Sequence, residues 1–415
     1  MKGVLVILDG IGDLPCRQLN GKTPLESAEM LNLDFLSARG KLGLMHPVKP
    51  GFVPESDEAI VSIFGNDLIS SSRGQLEARG AGIKLTRGDL AFRTNFATID
   101  SLEKGNILDR RAGRTLTTEE SEFLADEINS KIKLSVPFVF KPTIQHRGVL
   151  VFRGGFSDNL ISNDLTYVQG KKTEKKVGLC KAADDEENSQ YTANIVNEFL
   201  RQAYEVLNSH QVNKDREKRG LMPANFLLVR GAGIEPPKLK FYKKWFSVAY
   251  MPLEKGFSKV CGMHVCDFEY PPLYKLDSYE NLWDGLRKAC KFAVKAIKKN
   301  HKKFDYAYIH LKETDLPGHD NKPLEKKDML EHIDKTLFKF LRKFAPKNNI
   351  AVVVTADHAT PCKLKDHSAD PVPVLFYPGS ASKPEEKHFC ETQAKKGKLG
   401  RIMGKNLLKK VGFVK

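Results

Sequence analysis

NLWDGLRKACKFAVKAIKKNHKKFDYAYIHLKETDLPGHD, residues 281–320, carries two kinds of periodicity in succession. Trp283, Leu286, Cys290, Val294 and Ile297 recur at three- and four-residue steps with lysines between them, which predicts an amphipathic helix. The apolar run Tyr306–Leu311 follows directly and predicts a strand buried on both faces. A helix feeding a buried strand is the rhythm of a βαβ unit. Val4–Leu8, Ala351–Thr355 and Val372–Tyr377 are runs of the same kind, so the sequence predicts an α/β fold with a mostly parallel sheet flanked by helices.

Chemistry gathers just past these runs. Asp9 ends VLVILDG, Asp315 and His319 lie in KETDLPGHD, and Asp357, His358 and His367 lie in TADHATPCKLKDHS. In open α/β sheets ligands collect outside the carboxyl ends of the strands. Carboxylates avoid burial unless they are paired or bound to metal, so Asp and His at several strand ends predict a site for divalent cations. Asp315 and His319 would share one face of a helix. Pro317 and Gly318 between them instead predict a loop wrapped around an ion. Side chains of adjacent residues on extended chain point to opposite sides, so Asp357 and His358 can serve two ions or both edges of one. GFVPESDEAIVSIF, residues 51–64, reads as a turn entering a helix with Ser56 near its N-terminus. There, backbone N–H groups favour a phosphate, and a bound cation turns a serine hydroxyl into a nucleophile.

Composition bounds the rest. At 415 residues two domains are expected, and 41% hydrophobic residues are enough to build a core. No run approaches the roughly 18 apolar residues that cross a membrane, and the N-terminal segment reads as a strand, not a signal peptide. Seven unframed cysteines fit a reducing compartment better than a disulfide scaffold. The net charge of +16 raises the possibility of nucleic acid. However, the excess is lysine in short clusters, at 171–176, at 298–303 and from Lys395 onward, and no recognition motif accompanies it. Solvated lysine faces are the expected reading, with neither a nucleic-acid nor a membrane partner.

The order of segments predicts an insertion. Asp9 and Ser56 come early, whereas the other metal-type residues follow Lys303, and the stretch from Lys84 to Gln145 is rich in threonine and arginine. Residues 85–178 are therefore expected to form a smaller α/β lid inserted into a core made of 1–84 and 179–415. GKKTEKK at 170–176 and KAADDEENSQ at 181–190 read as exposed linkers or helix starts.

LDGIGDLP, KTPLESA, SDEAIVSIFGND, RGQLEARGAG, GDLAFRTN, DRRAGR, PANFLLVRGAG, HLKETDLPGHD and TADHATPC…HSADPVPV occur in this order along the chain. The set resembles the archaeal-type cofactor-independent phosphoglycerate mutases of the alkaline phosphatase superfamily. The resemblance implies interconversion of 3-phosphoglycerate and 2-phosphoglycerate through a phosphoserine on Ser56, in the cytoplasm, without 2,3-bisphosphoglycerate. It groups Asp9, Ser56, Asp357 and His358 around one divalent ion and Asp315, His319 and His367 around another. The typical ion is Mn²⁺, with Mg²⁺, Zn²⁺ or Co²⁺ as substitutes. Arg93, Arg111 and Arg114 of the lid, and Arg230 from the core side, are the implied phosphate and carboxylate ligands. A lysine is expected at the transferring phosphate, for which Lys255 and Lys275 are candidates; His310 and Lys312 fall in a motif but receive no role. Assembly into a homo-oligomer is compatible with the sequence.

The chain departs from the family pattern in places. Glu55 stands where glycine usually precedes the serine, Asn66 and Leu68 replace a tyrosine and a proline, and CDFEYPPLYK follows Met263. Two alternatives remain at this stage. One is a related metal-dependent phosphatase, phosphonate hydrolase or other phosphomutase. The other is a basic RNA-binding protein.

Overall fold

The computed structural model describes the chain except residues 68–72, 165–166, 169–170, 173–175, 275, 381–383, 386 and 415, and describes only the backbone at 167–168 and 171–172. Leu68 and Lys275 thus lie outside the described residues.

The larger unit is built on an eight-stranded sheet. Its order is His264–Cys266, Trp245–Val248, Tyr306–Leu311, Gly3–Leu8, Ala351–Thr355, Val372–Tyr377, Lys41–His46 and Gly400–Met403. The first five strands run parallel. Val372–Tyr377 opposes both of its neighbours, although its apolar run is of the kind read as parallel. Being buried inside the sheet, rather than strand direction, accounts for that pattern. Val4 to Leu8 are fully buried, and each such side chain contributes about 1.5–3 kcal/mol. The amphipathic pattern of 283–297 becomes the helix Ser278–Asn300, whose start is capped by the Asp277 carboxylate accepting from the N–H groups of Tyr279 and Glu280. It buries Leu286, Cys290, Ala293 and Ile297 against this core.

Register decides where the functional ends fall. Leu8 pairs with Leu311, and Ile7 pairs with Thr355. Asp9, Lys312 and Asp357 therefore emerge at nearly the same level from three adjacent strands.

A second, antiparallel sheet has the order Phe226–Gly233, Leu90–Ile99, Arg147–Phe152 and Phe138–Pro142. Thr118–Lys131 and Glu187–Ser209 lie over one face and share a separate core with Phe92, Phe96, Phe140, Phe152 and Leu227. This unit runs well past residue 178, where the insertion was expected to end. The long helix at 187–209 and the strand at 226–233 return to it because their apolar faces complete its core. The helices Arg73–Gly80 and Pro252–Val260 cross closely beneath the second sheet. A Cβ on Gly80 would meet the Pro252 carbonyl at 1.7 Å, and one on Gly256 would meet the Leu76 carbonyl at 1.8 Å.

Candidate metal centre and active site

A cavity of about 410 Å³ lies between the carboxyl ends of the large sheet and the second sheet. Ser56 is the first residue of the helix Ser56–Ile63, with Glu55 in the capping position. Its Oγ lies 3.1 Å from Lys312 Nζ and 3.4 Å from His358 Nε2.

Asp9, Asp357 and His358 are buried, at 2%, 0% and 1% exposure. His358 Nε2 stands 3.1 Å from Asp9 Oδ1 and 3.5 Å from Asp357 Oδ2. Next to them, Asp315 Oδ2 is 3.3 Å from His319 Nε2, and Asp315 Oδ1 is 3.8 Å from His367 Nε2. The His358 and His367 rings stack with centroids 3.7 Å apart, so the two groups adjoin. The outer nitrogens are oriented by carbonyls: His319 Nδ1 meets Lys365 O at 3.2 Å, and His367 Nδ1 meets Pro54 O at 3.0 Å. Of the seven expected metal residues, Asp9, Ser56, Asp315, His319 and His367 thus line one end of the cavity, and Asp357 and His358 lie buried directly against them.

The donor set fits divalent cations. Asp9 Oδ1 and Asp357 Oδ2 are buried without any hydrogen-bond donor, an arrangement that costs free energy unless a cation is near. Burial, then the neighbouring Asp357 carboxylate, push the Asp9 carboxyl well above its usual range. In Asp357 burial acts the same way but is outweighed by His358, Lys312 and His310, which hold it low. Asp315 is likewise held low, with His319 outweighing burial. Asp315, His358 and His367 offer ligand atoms within 4.8 Å of one another, as do Asp9, His310 and Asp357.

One expectation is corrected here. Asp315–His319 is a short helix, not a loop. Pro317 falls in its first turn, where no backbone N–H is needed. Gly318 is required by packing, since a Cβ there would meet the Thr360 carbonyl at 2.4 Å.

Three residues at the site had no role from the sequence. Lys312 leaves the tip of the Tyr306–Leu311 strand and its Nζ contacts an Asp9 carboxylate oxygen, with Glu254 Oε1 at 3.0 Å and Asp357 Oδ2 at 3.7 Å. Burial opposes its charge, but these carboxylates hold the ammonium protonated far above neutral pH. Its position immediately after a buried strand was the available signal. His310 Nε2 lies 3.4 Å from Asp357 Oδ2. Glu254, early in its helix, carries no comparable signal. Lys255, the sequence candidate, pairs with Asp267 at 2.9 Å instead.

The opposite wall is cationic. Arg93, Arg111, Arg114 and Arg230 all line the cavity, with Arg147 and His146 nearby. Arg230 comes from the second sheet and not from the core side, directly across from Arg93 in register. Arg93 is 6% exposed; its Nε approaches Glu77 at 3.4 Å, and its Nη1 makes no hydrogen bond. Arg114 Nη1 reaches over to Asp320 Oδ1 at 2.5 Å, linking the second unit to the large one. Ala112 and Arg114 both hold left-handed backbone, a strained turn of the kind found at ligand clamps. Glu55 pairs with Arg73 at 2.9 Å and Arg230 at 3.5 Å. Burial raises its carboxyl pKa, but these two guanidiniums outweigh burial and hold it low.

The chain resembles known proteins along nearly its whole length. Residues 37–213 match a family described as 2,3-bisphosphoglycerate-independent phosphoglycerate mutase, and residues 282–413 match the metalloenzyme superfamily. A mutase of that name from Pyrococcus furiosus is 39% identical over 98% of this chain and 95% of its own length. A solved protein from Pyrococcus horikoshii superposes with a TM-score of 0.74 at 32% identity, covering 100% of this chain and 98% of that one. The cofactor-independent phosphoglycerate mutase of Thermoplasma acidophilum gives 0.58 at 29%, covering 99% and 98%. With near-complete coverage at such identity, the chain belongs to the 2,3-bisphosphoglycerate-independent phosphoglycerate mutase family.

Proposed function

We propose that Ser56 carries the phosphoryl group while this mutase interconverts 3-phosphoglycerate and 2-phosphoglycerate. One divalent cation would be held by Asp9, Ser56, Asp357 and His358, and a second by Asp315, His319 and His367. Bound there, the cations would lower the pKa of the serine hydroxyl and offset charge on the phosphoryl oxygens. Mn²⁺ is the expected occupant, and Mg²⁺, Zn²⁺ or Co²⁺ suit the same mixed donors.

Lys312 Nζ, 3.1 Å from Ser56 Oγ, donates to the oxygen as it becomes nucleophilic and steadies its negative charge. Oγ then bonds to phosphorus as the bond from phosphorus to O3 breaks, and the proton lost by Ser56 ends on O3. The enclosed glycerate turns, its O2 takes the phosphoryl group, and the O2 proton returns to Ser56. Arg93, Arg111, Arg114 and Arg230 clamp the phosphate and carboxylate, for which planar guanidiniums are suited.

We infer that the unit carrying the second sheet acts as the lid, extending from about residue 85 to Gly233. It keeps glycerate in and water out, since water reaching the phosphoserine would turn the enzyme into a phosphatase. A cytoplasmic place in glycolysis or gluconeogenesis accords with seven free cysteines; no helix among the described residues is long and apolar enough to cross a membrane.

The observation that carries this reading is the placement of Ser56 Oγ beside Lys312 and His358 at the floor of an arginine-walled cavity. The test is an enolase-coupled assay on 3-phosphoglycerate without added 2,3-bisphosphoglycerate. Isomerisation that chelator abolishes is expected. Release of mostly inorganic phosphate would replace the mutase by a hydrolase.

A further inference from the structure

Thr360 lies two residues beyond His358, is fully buried, and has no part in the chemistry above. Its hydroxyl donates to Asp315 Oδ1 at 2.7 Å and sits 3.0 Å from His358 Nδ1. A hydroxyl has one proton. With that proton committed to a carboxylate, which only accepts, the oxygen can only accept from the imidazole. His358 therefore carries a hydrogen on Nδ1, which leaves Nε2 as the nitrogen turned toward the cation group. That nitrogen faces Asp9 Oδ1 at 3.1 Å, an oxygen with no hydrogen-bond partner of its own.

The hydroxyl is held in place from several sides. Thr360 N donates to Gly12 O at 3.0 Å, and its carbonyl accepts from the buried Lys326 Nζ at 3.0 Å. Lys326 is in turn paired with Asp13 at 2.8 Å. Gly10 and Gly318 wall the side chain: a Cβ on Gly10 would meet the Thr360 hydroxyl at 2.6 Å, and one on Gly318 would meet its methyl at 2.9 Å.

We propose that Thr360 is a positioning residue that sets the His358 tautomer and orients Asp315, so that a single hydroxyl prepares both cation groups at once. The inference rests on the two-cation reading above. It extends that reading by naming a residue that touches neither cation nor substrate yet governs a ligand of each. Partners of this kind typically change metal affinity by about 10–100-fold when removed.

The test uses the full-length chain, wild type, Thr360→Val and Thr360→Ser, with ¹⁵N-labelled histidine. Histidine ¹⁵N spectra of chelated and Zn²⁺-loaded protein report the His358 tautomer, and competition with a chromophoric chelator reports Zn²⁺ affinity. Nδ1–H on His358 is expected in the wild type. Thr360→Val should lose that tautomer preference and about 10–100-fold in affinity for both ions. Thr360→Ser, which keeps the hydroxyl, should restore both. It also separates loss of the hydroxyl from general damage, because a folding defect would not change the tautomer selectively. Unchanged tautomer and unchanged affinity in Thr360→Val, or failure of Thr360→Ser to rescue, overturns this inference alone. A wild-type protein that binds no Zn²⁺ overturns the two-cation assignment and this inference with it.

Discussion

Replacing Lys312 by methionine keeps the length of the side chain and removes its charge. Nζ lies 3.1 Å from Ser56 Oγ. Two unit charges at such a separation interact by about 5 kcal/mol at an effective dielectric of about 20. Part of this is recovered by water and by the remaining donors, and deletions of one preorganised donor cost about 2.7–4 kcal/mol. The kcat of Lys312→Met should therefore fall about 10²–10³-fold. The same ammonium also pairs with Asp9, Glu254 and Asp357. Taking one partner from a buried ion cluster costs about 3–5 kcal/mol, so the chelated variant should melt well below the chelated parent. Added divalent ions should close most of that gap, because they supply positive charge to the same carboxylates. Enolase-coupled kinetics and calorimetry with and without chelator measure both effects. A kcat within about tenfold of the parent, with an unchanged melting temperature after chelation, would refute the role given to Lys312.

Ser56→Ala should lower kcat at least about 10³-fold and leave metal binding partly intact. Phosphopeptide mass spectrometry should find phosphoserine 56 in quenched parent enzyme, and near-normal turnover by the variant would end the covalent scheme. Arg93→Met removes a guanidinium whose Nη1 has no hydrogen bond in the protein. Its kcat/KM should fall about 10–100-fold, as for loss of a charge-assisted hydrogen bond, and a change under about threefold would remove Arg93 from the substrate site. Asp320 accepts from Arg114 and, at 2.8 Å, from the Tyr279 hydroxyl. Asp320→Asn should loosen the closure between the units and raise the share of turnover ending in free phosphate. An unchanged ratio of phosphate to isomer would show that the Arg114–Asp320 contact does not retain glycerate.

Glu55 gives the departure from the family pattern a physical account. Its carboxylate is engaged by Arg73 and Arg230 beside Ser56. It lines the cavity, and the two guanidiniums offset its negative charge there.

The α/β class, four strands of the large sheet and the helix at 278–300 were legible from residue order alone. Their signals are local: an apolar run buries on both faces wherever it sits, and a 3.6-residue period makes one apolar stripe. The candidate ligands could be proposed for a related reason, since carboxylates avoid burial unless they are paired or bound to metal. Tertiary structure decided what depends on pairing between distant segments. Registry of Leu8 with Leu311 and of Ile7 with Thr355 sets Asp9 between Lys312 and Asp357 at the tips of three adjacent strands, and no local pattern encodes a register between segments some three hundred residues apart. The return of 226–233 to the second sheet likewise moves Arg230 across the cavity to stand opposite Arg93. An apolar strand shows that it must be covered, but which sheet covers it is settled only when the whole chain competes for the same buried surface.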